Sequence, residues 1–236
     1  MKNYRELLLV GVVFGIFLVL AHAAVDLSAA KSTQCQSNLK QFGDALQMYR
    51  DDYDNFNCYS YIENYSYKGH RLTFLQMIAP YLGCTDLQGP FLRQYANTAN
   101  KVNQLFICPE TTLEANRSEG GWRSSYMANA TYPETSNPHA CYFGGQGFGD
   151  SVKFDRVKKP AEVGAIFDRN PAKQRPDFCV SWHKRVVDAN ELKQTFPQRH
   201  NGKDNVLFFD GHVDAVAINV PFNKWLPIFG LNGIGK

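Results

Sequence analysis

The chain has 236 residues, which is enough for one globular domain with a core of its own and appended segments. Its 25 basic and 22 acidic residues leave a net charge of only +3, and the basic residues are scattered, so the composition argues against a nucleic-acid partner. The six cysteines are widely spaced and form no C-x-x-C pair, which argues against a zinc cluster or a thioredoxin-like motif.

The N-terminal segment is strongly apolar, with no charged side chain between residues 7 and 25. About 20 apolar residues cross the ~30 Å hydrocarbon layer of a bilayer, so residues 7–25 are predicted to be a single-pass membrane anchor. Lys2 and Arg5 precede it, which places the N-terminus in the cytoplasm and the domain outside. A basic start, an apolar stretch and an A-x-A sequence at residues 21–23 also fit a signal peptide. Secretion after cleavage following Ala23 is therefore the alternative localisation.

The apolar segment continues into a polar stretch that keeps a helical stripe. The side chains of this stripe step by four or three residues: Cys35, Leu39, Phe42, Leu46, Tyr49 and Tyr53. The alanine-rich residues between the two parts contain no helix stop, so we predict one helix from about Asn3 to Tyr53, roughly 75 Å long. We divide the chain into residues 1–56, the membrane anchor and long helix, and residues 57–236, an extracytoplasmic domain.

The rest of the chain predicts short elements separated by polar loops. Apolar spacing predicts a short helix over residues 71–82 that ends at Gly83, and an apolar run stopped by proline at residues 105–109 is typical of a strand end. Three further segments predict short strands: residues 124–128, 163–168 and 179–182. The predicted fold class is α+β, with a long N-terminal helix packed on a small, mostly antiparallel β-sheet.

The clearest local signal is a predicted β-hairpin near the C-terminus. Two apolar runs, residues 205–209 and 212–218, flank Asp210-Gly211, which suits a two-residue type I′ turn. That register places Phe208 opposite Val213 on an apolar face.

Several separated motifs occur in a fixed order along the chain. His200 is followed, after nine intervening residues, by Asp210-Gly211. The other motifs are Cys35-Gln-Ser-Asn-Leu-Lys-Gln-Phe-Gly43, Cys108-Pro109, Ser125-Tyr126 with Asn129, and Lys159-Pro160 leading to Asp168. Over residues 6 to about 219 the chain resembles the bacterial prepilin-like H-x9-DG family, relatives of type II secretion pseudopilins and type IV pilins.

The resemblance implies a pilin-like fold and a structural role in protein secretion. The chain would be a membrane-anchored subunit of a type II secretion or type IV pilus-like assembly that associates with pilin-like subunits through its helix. Glu6 aligns with the carboxylate that meets the N-terminus of a neighbouring pilin subunit; the simpler alternative is a polar residue at the membrane edge. The other functional class is a monomeric exported or anchored binding domain that keeps the scaffold without filament assembly.

The motif residues His200, Asp210 and Gly211 are predicted to be structural, because a carboxylate in a tight turn usually satisfies its own backbone. A metal site around His200, Asp210 and His212 is the alternative, with calcium suited to carboxylate oxygens and zinc to imidazoles. No ligand set can be assigned from the sequence, so we predict no cofactor and keep calcium as an alternative. No G-x-S-x-G elbow or catalytic cysteine frame occurs, and we expect a protein that is not an enzyme.

The even number of cysteines predicts up to three disulfides if the domain lies outside the cytosol, and the six residues allow fifteen pairings. The resemblance implies a bridge between the helix cysteine Cys35 and the Cys-Pro cysteine Cys108. The remaining pairs would then be Cys58–Cys84 and Cys141–Cys179.

Overall fold

The computed structural model describes the following residues: 2–59, 61–62, 72–83, 105–111, 124–129, 140–143, 150–169, 179–180, 196 and 198–217. At some of these, among them residues 2–8 and 21–26, only the backbone is described.

One long helix, α1 (Lys2–Asp52), spans 51 residues without a break, as the sequence predicts. The predicted stripe lies against the domain: Cys35, Leu39, Phe42 and Leu46 are at most 1% exposed. Tyr53 is 53% exposed and stacks on Tyr49, so the packed stripe ends one turn earlier than predicted.

The N-terminal part of α1 differs from the packed part. Its large apolar side chains between Leu9 and Leu20 are 46–71% exposed. Judged on the residues that the structure describes, no helix is both long and apolar enough to cross a membrane. The membrane-spanning prediction for residues 7–25 therefore stays a prediction.

The domain is built from short elements after α1. They are β1 (Tyr61–Ile62), β2 (Leu72–Thr73), α2 (Phe74–Ile78), a 3₁₀ turn (Ala79–Leu82), β3 (Tyr126–Asn129), β4 (Ala140–Cys141), β5 (Asp150–Ser151), a second 3₁₀ turn (Phe154–Arg156), β6 (Gly164–Asp168), β7 (Cys179–Val180), β8 (Lys203–Phe208) and β9 (Val213–Ala217). The main sheet has the order β7-β3-β6-β8-β9; β7 is parallel to β3 and the other neighbours are antiparallel. The α+β class and the mostly antiparallel sheet are confirmed.

The central strands β3 and β6, and β8 from Asp204 onward, are buried on both faces, whereas β9 is half-buried to exposed. Its helix-facing side chains join the core that contains the stripe of α1: Tyr126, Ala128, Ile166 and Leu207. On the opposite face Met127, Phe167 and Val206 are also fully buried, and Phe196 packs edge-on against Phe167 at 5.8 Å. Since neither face is open, polar groups within this sandwich need partners inside the protein.

The predicted hairpin forms, but its register is wrong by one residue. Leu207, not Phe208, pairs with Val213. The amide of Phe208 donates to the carbonyl of His212, so the loop has three residues and closes on Gly211 at φ +90°. A three-residue loop with a left-handed last residue is the next common hairpin type after the two-residue turn.

Two further predictions change in detail. The helix predicted over residues 71–82 begins only at Phe74 and becomes 3₁₀ at Ala79, next to Pro80, before ending at Gly83. Residues 105–109 form a turn, so the predicted strand end there is wrong.

Candidate functional site

Four polar side chains from distant parts of the chain meet in the space between α1 and the sheet. They are Cys35 on α1, Cys108 in the loop before β3, Asp168 at the end of β6 and His200 just before β8. One potential ligand atom from each lies within 4.8 Å of those of the others. Each of these residues is at most 4% exposed, so the cluster is shielded from water.

Asp168 is the central acceptor of the cluster. Its Oδ2 accepts the backbone N–H of Asn205 at 2.9 Å and lies 3.0 Å from Nε2 of His200. Its Oδ1 accepts a guanidinium N–H of Arg199 at 3.1 Å. Burial alone would raise the pKa of Asp168, but the bond to His200 and the charge of Arg199 outweigh it and lower that pKa. The side chain is therefore a fully buried carboxylate held in its charged form.

A tight turn fixes the position of His200. His200 and Lys203 exchange both backbone hydrogen bonds across Asn201 and Gly202, at 3.1 and 3.2 Å. Both central residues have positive φ, +55° and +76°, as a type I′ turn requires. Burial would lower the pKa of His200, but its contact with Asp168 outweighs burial and raises that pKa to about 10.

A second carboxylate lies behind the imidazole. Oε2 of Glu110 is 3.1 Å from Nδ1 of His200, although the two are not aligned for a hydrogen bond. The other oxygen of Glu110 accepts the hydroxyl of Ser28 at 2.9 Å, which connects it to α1. The two ring nitrogens of His200 therefore face two different carboxylates.

The two cysteines are free thiols whose pKa values are shifted in opposite directions. Sγ of Cys35 lies 3.4 Å from both the hydroxyl of Tyr126 and Oδ1 of Asp168, and Sγ of Cys108 lies 3.5 Å from Nε2 of His200. The hydrogen bond from Cys35, supported by His200, lowers the pKa of Cys108 to about 5, despite burial. The same bond and burial raise the pKa of Cys35.

This geometry differs from a nucleophilic triad. In a Cys-His-Asp triad the nucleophile and the carboxylate contact opposite nitrogens of the imidazole. Here Cys108 and Asp168 both approach Nε2 of His200, and Glu110, which faces the opposite nitrogen Nδ1, is not aligned to hydrogen-bond it. The set is better suited to surround a common point than to relay a proton.

The structure does not bring together the predicted alternative site of His200, Asp210 and His212. His200 precedes β8 and Asp210 follows it, so a six-residue strand, about 20 Å long, lies between them. Asp210 instead accepts the backbone N–H of His212 at 3.1 Å and lies 2.6 Å from its Nδ1. Gly211 supplies the left-handed conformation of the loop.

Other predicted site residues are placed only in part. The side chain of Glu6 and the whole of Cys84 lie outside the described residues, as do the side chains of Cys141 and Cys179. Cys58 is a fully buried thiol. Cys35 and Cys108 are free cysteines in the structure, so the bridge implied between them is not formed there, and the pairings through Cys84, Cys141 and Cys179 stay predictions.

Sequence reasoning missed two residues of the site, Arg199 and Glu110. Arg199 directly precedes His200, and its guanidinium also donates to the carbonyl of Arg169 at 2.9 Å. Glu110 directly follows Cys108-Pro109. In the sequence, the only sign that Arg199 and Glu110 belong to the site is that each lies next to a motif residue. Spacing along the chain does not show that the motifs come together in the fold.

The fold and this site define an α+β protein whose long helix and sheet share a buried polar cluster. The family described as protein of unknown function (DUF1559) matches residues 28–176, which is more than half of the chain. The chain belongs to this family of prepilin-like and pseudopilin-associated proteins. Cys35, Cys108 and Asp168 lie within the match, whereas His200 and the H-x9-DG motif lie beyond it. No curated protein and no solved structure matches the chain significantly.

Proposed function

We propose that the chain is a membrane-anchored, pseudopilin-like structural subunit of a type II secretion or type IV pilus-like assembly. It works by helix packing and self-association, without catalysis. The N-terminus lies in the cytoplasm and the domain lies outside. Membership of a family of prepilin-like and pseudopilin-associated proteins supports the general class of protein in this proposal.

The observation that carries the proposal is the contrast between the two parts of α1. From Cys35 to Leu46 the stripe is buried by the domain, whereas the apolar side chains from Leu9 to Leu20 are exposed on every side of the same unbroken helix. Exposed apolar area costs about 25 cal/mol per Å² in water, so a helix of this kind needs lipid or neighbouring helices around it. The domain covers only the second part.

Photo-crosslinking in membranes tests self-association. A photoreactive phenylalanine analogue replaces Phe17, which is 71% exposed in the apolar part. We expect crosslinked species of twice the chain mass from this position. The matched control is the same analogue at Met48, which is 50% exposed on the packed part of α1 and should give no such dimer. Crosslinks to lipid alone at Phe17 would favour the monomeric binding domain instead.

The N-terminus of the membrane-extracted protein tests the anchor. A mature chain that begins at Met1 or Lys2 is expected, with the protein remaining in the membrane after alkaline carbonate extraction. A chain that begins at Ala24 would show that the apolar segment is a cleaved signal peptide.

A further inference from the structure

We infer that Cys35, Cys108, Asp168 and His200 form a structural site for one zinc ion at the junction of α1 and the sheet. Two sulfurs, one imidazole nitrogen and one carboxylate oxygen are the ligand types that zinc takes in tetrahedral sites. With all four positions supplied by the protein and shielded from water, the site is closed. A closed site of this kind stabilises a fold and leaves no position for a substrate.

The distances fit a common ion. Zinc bonds of about 2.3 Å to sulfur and about 2.0–2.1 Å to nitrogen or oxygen place tetrahedral ligand atoms roughly 3.3–3.8 Å apart. Sγ of Cys108 is 3.5 Å from Nε2 of His200, and Sγ of Cys35 is 3.4 Å from Oδ1 of Asp168. His200 contacts the other carboxylate oxygen, Oδ2 of Asp168, at 3.0 Å, so binding of the ion through one oxygen requires the carboxylate to turn and this contact to widen by a few tenths of an ångström.

The surroundings also fit a metal site. Histidine ligands of zinc commonly present the second ring nitrogen to a carboxylate, which fixes the ring and its tautomer. Glu110 holds this position, 3.1 Å from Nδ1 of His200, and has no aligned hydrogen bond to it without a metal. Once Nε2 binds zinc, the proton of the neutral ring resides on Nδ1, where Glu110 can accept it.

The charges balance around a divalent ion. Two thiolates and the carboxylate of Asp168 carry three negative charges, which a zinc ion and the neighbouring guanidinium of Arg199 offset; the carboxylate of Glu110, behind the imidazole, lies outside this count. A buried group of three anions needs such compensation, because an unpaired buried charge is strongly destabilising. Sulfur ligands favour zinc over calcium, which prefers oxygen atoms throughout.

The zinc site excludes the Cys35–Cys108 disulfide, since both use the same two sulfurs. A disulfide would engage only the sulfurs. The zinc site uses His200 and Asp168 as well, and so accounts for all four side chains that converge there. The two states also differ in their zinc and thiol contents. The zinc form contains one metal ion and keeps both sulfurs reduced, whereas the disulfide form contains no metal ion and both sulfurs are oxidised.

Metal and thiol analysis of the full chain, purified in detergent, tests the inference. We expect about one zinc ion per chain in the native protein, as in closed structural sites. Cys58→Ala removes a buried thiol outside the cluster and should keep the zinc, whereas Cys35→Ala and Cys108→Ala should lose it. A Cys35–Cys108 disulfide in non-reducing peptide mapping, or two free thiols without metal, would overturn the site.

Two measurements avoid variants that fail to fold. Replacement of zinc by cobalt in the native protein should give sulfur-to-cobalt charge-transfer absorption and tetrahedral visible bands; octahedral bands without sulfur character would refute the ligand set. Glu110→Gln should weaken zinc affinity by roughly 10–100-fold in competition with a chelator. The matched control, Glu162→Gln, alters an exposed carboxylate paired with Lys159 and should leave that affinity unchanged.

Discussion

Phe42 is one of the α1 side chains in the buried core, and its removal tests whether the helix is an integral part of the domain. It is fully buried, stacks on Phe106 at 5.7 Å and meets Tyr126 edge-on at 5.1 Å. Phe→Ala in a packed core costs about 3–5 kcal/mol, from lost apolar burial and the cavity left behind. Two aromatic neighbours place Phe42→Ala in the upper half of that range, because each ring pair contributes about 0.5–1.5 kcal/mol.

Urea denaturation of the full chain in detergent, followed by fluorescence, measures this loss. With a slope of about 2 kcal/mol per M, a loss of ~4 kcal/mol lowers the midpoint by about 2 M. Met48→Ala on the exposed side of the same helix is the control and should stay within about 0.5 kcal/mol of the native chain. If Phe42→Ala cost less than about 1 kcal/mol, the packed stripe would not hold α1 to the domain.

Two further substitutions test the sheet and the charged cluster. Gly164→Ala places a Cβ 2.6 Å from ring atoms of Phe167 and should cost about 1–3 kcal/mol in thermal denaturation, whereas Gly15→Ala has open space and should cost the domain nothing. An unchanged melting temperature for Gly164→Ala would refute the close approach. Arg199→Met removes one of the two cationic partners of the buried carboxylate of Asp168 and leaves His200 in place, so it should cost about 1.5–3 kcal/mol by urea denaturation. A loss below about 1 kcal/mol would show that this ion pair is dispensable.

The long helix could be predicted from the sequence because its signals are local. The 3- and 4-residue steps from Cys35 to Leu46 and the absence of a helix breaker act within a few turns. The end of the helix is equally local, since Asp54 and Asn55, which follow one residue after the helix ends at Asp52, adopt positive φ. Strand segments were also recognisable, but their order in the sheet was not, because pairing between β3, β6 and β8 joins distant residues.

The hairpin register could not be predicted because two turn signals compete. Asp210-Gly211 resembles a type I′ pair, but Phe209 belongs to the loop, so every partner shifts by one residue. The turn that has the I′ backbone pattern is Asn201-Gly202, nine residues earlier. Phe209 is core-buried, and its burial within the loop is a tertiary effect that turn propensities do not include.

The polar cluster could not be predicted from the sequence either, because its residues are far apart in the chain. Its residues were visible in the sequence as separate motifs, and the wide spacing of the cysteines argued against zinc. That argument applies to zinc knuckles, in which ligands are neighbours in sequence. It does not apply when a helix, a loop, a strand end and a turn each contribute one ligand.

The position of the cluster connects it to the proposed function. Cys35 is the first residue of the packed stripe, so the cluster lies at the N-terminal end of the packed part of α1. The exposed apolar part of α1 lies on the N-terminal side of this point. An ion bound to Cys35 and to the sheet residues Asp168 and His200 would fix the rotation and axial position of α1 relative to the domain. Self-association through the apolar part requires that α1 present a defined face to its neighbours. Loss of the ion would free α1 to rotate relative to the domain, and so would weaken self-association while the domain stays folded. Zinc removal is therefore expected to reduce crosslinking at Phe17 before it unfolds the sheet, since the stripe from Leu39 to Leu46 still packs.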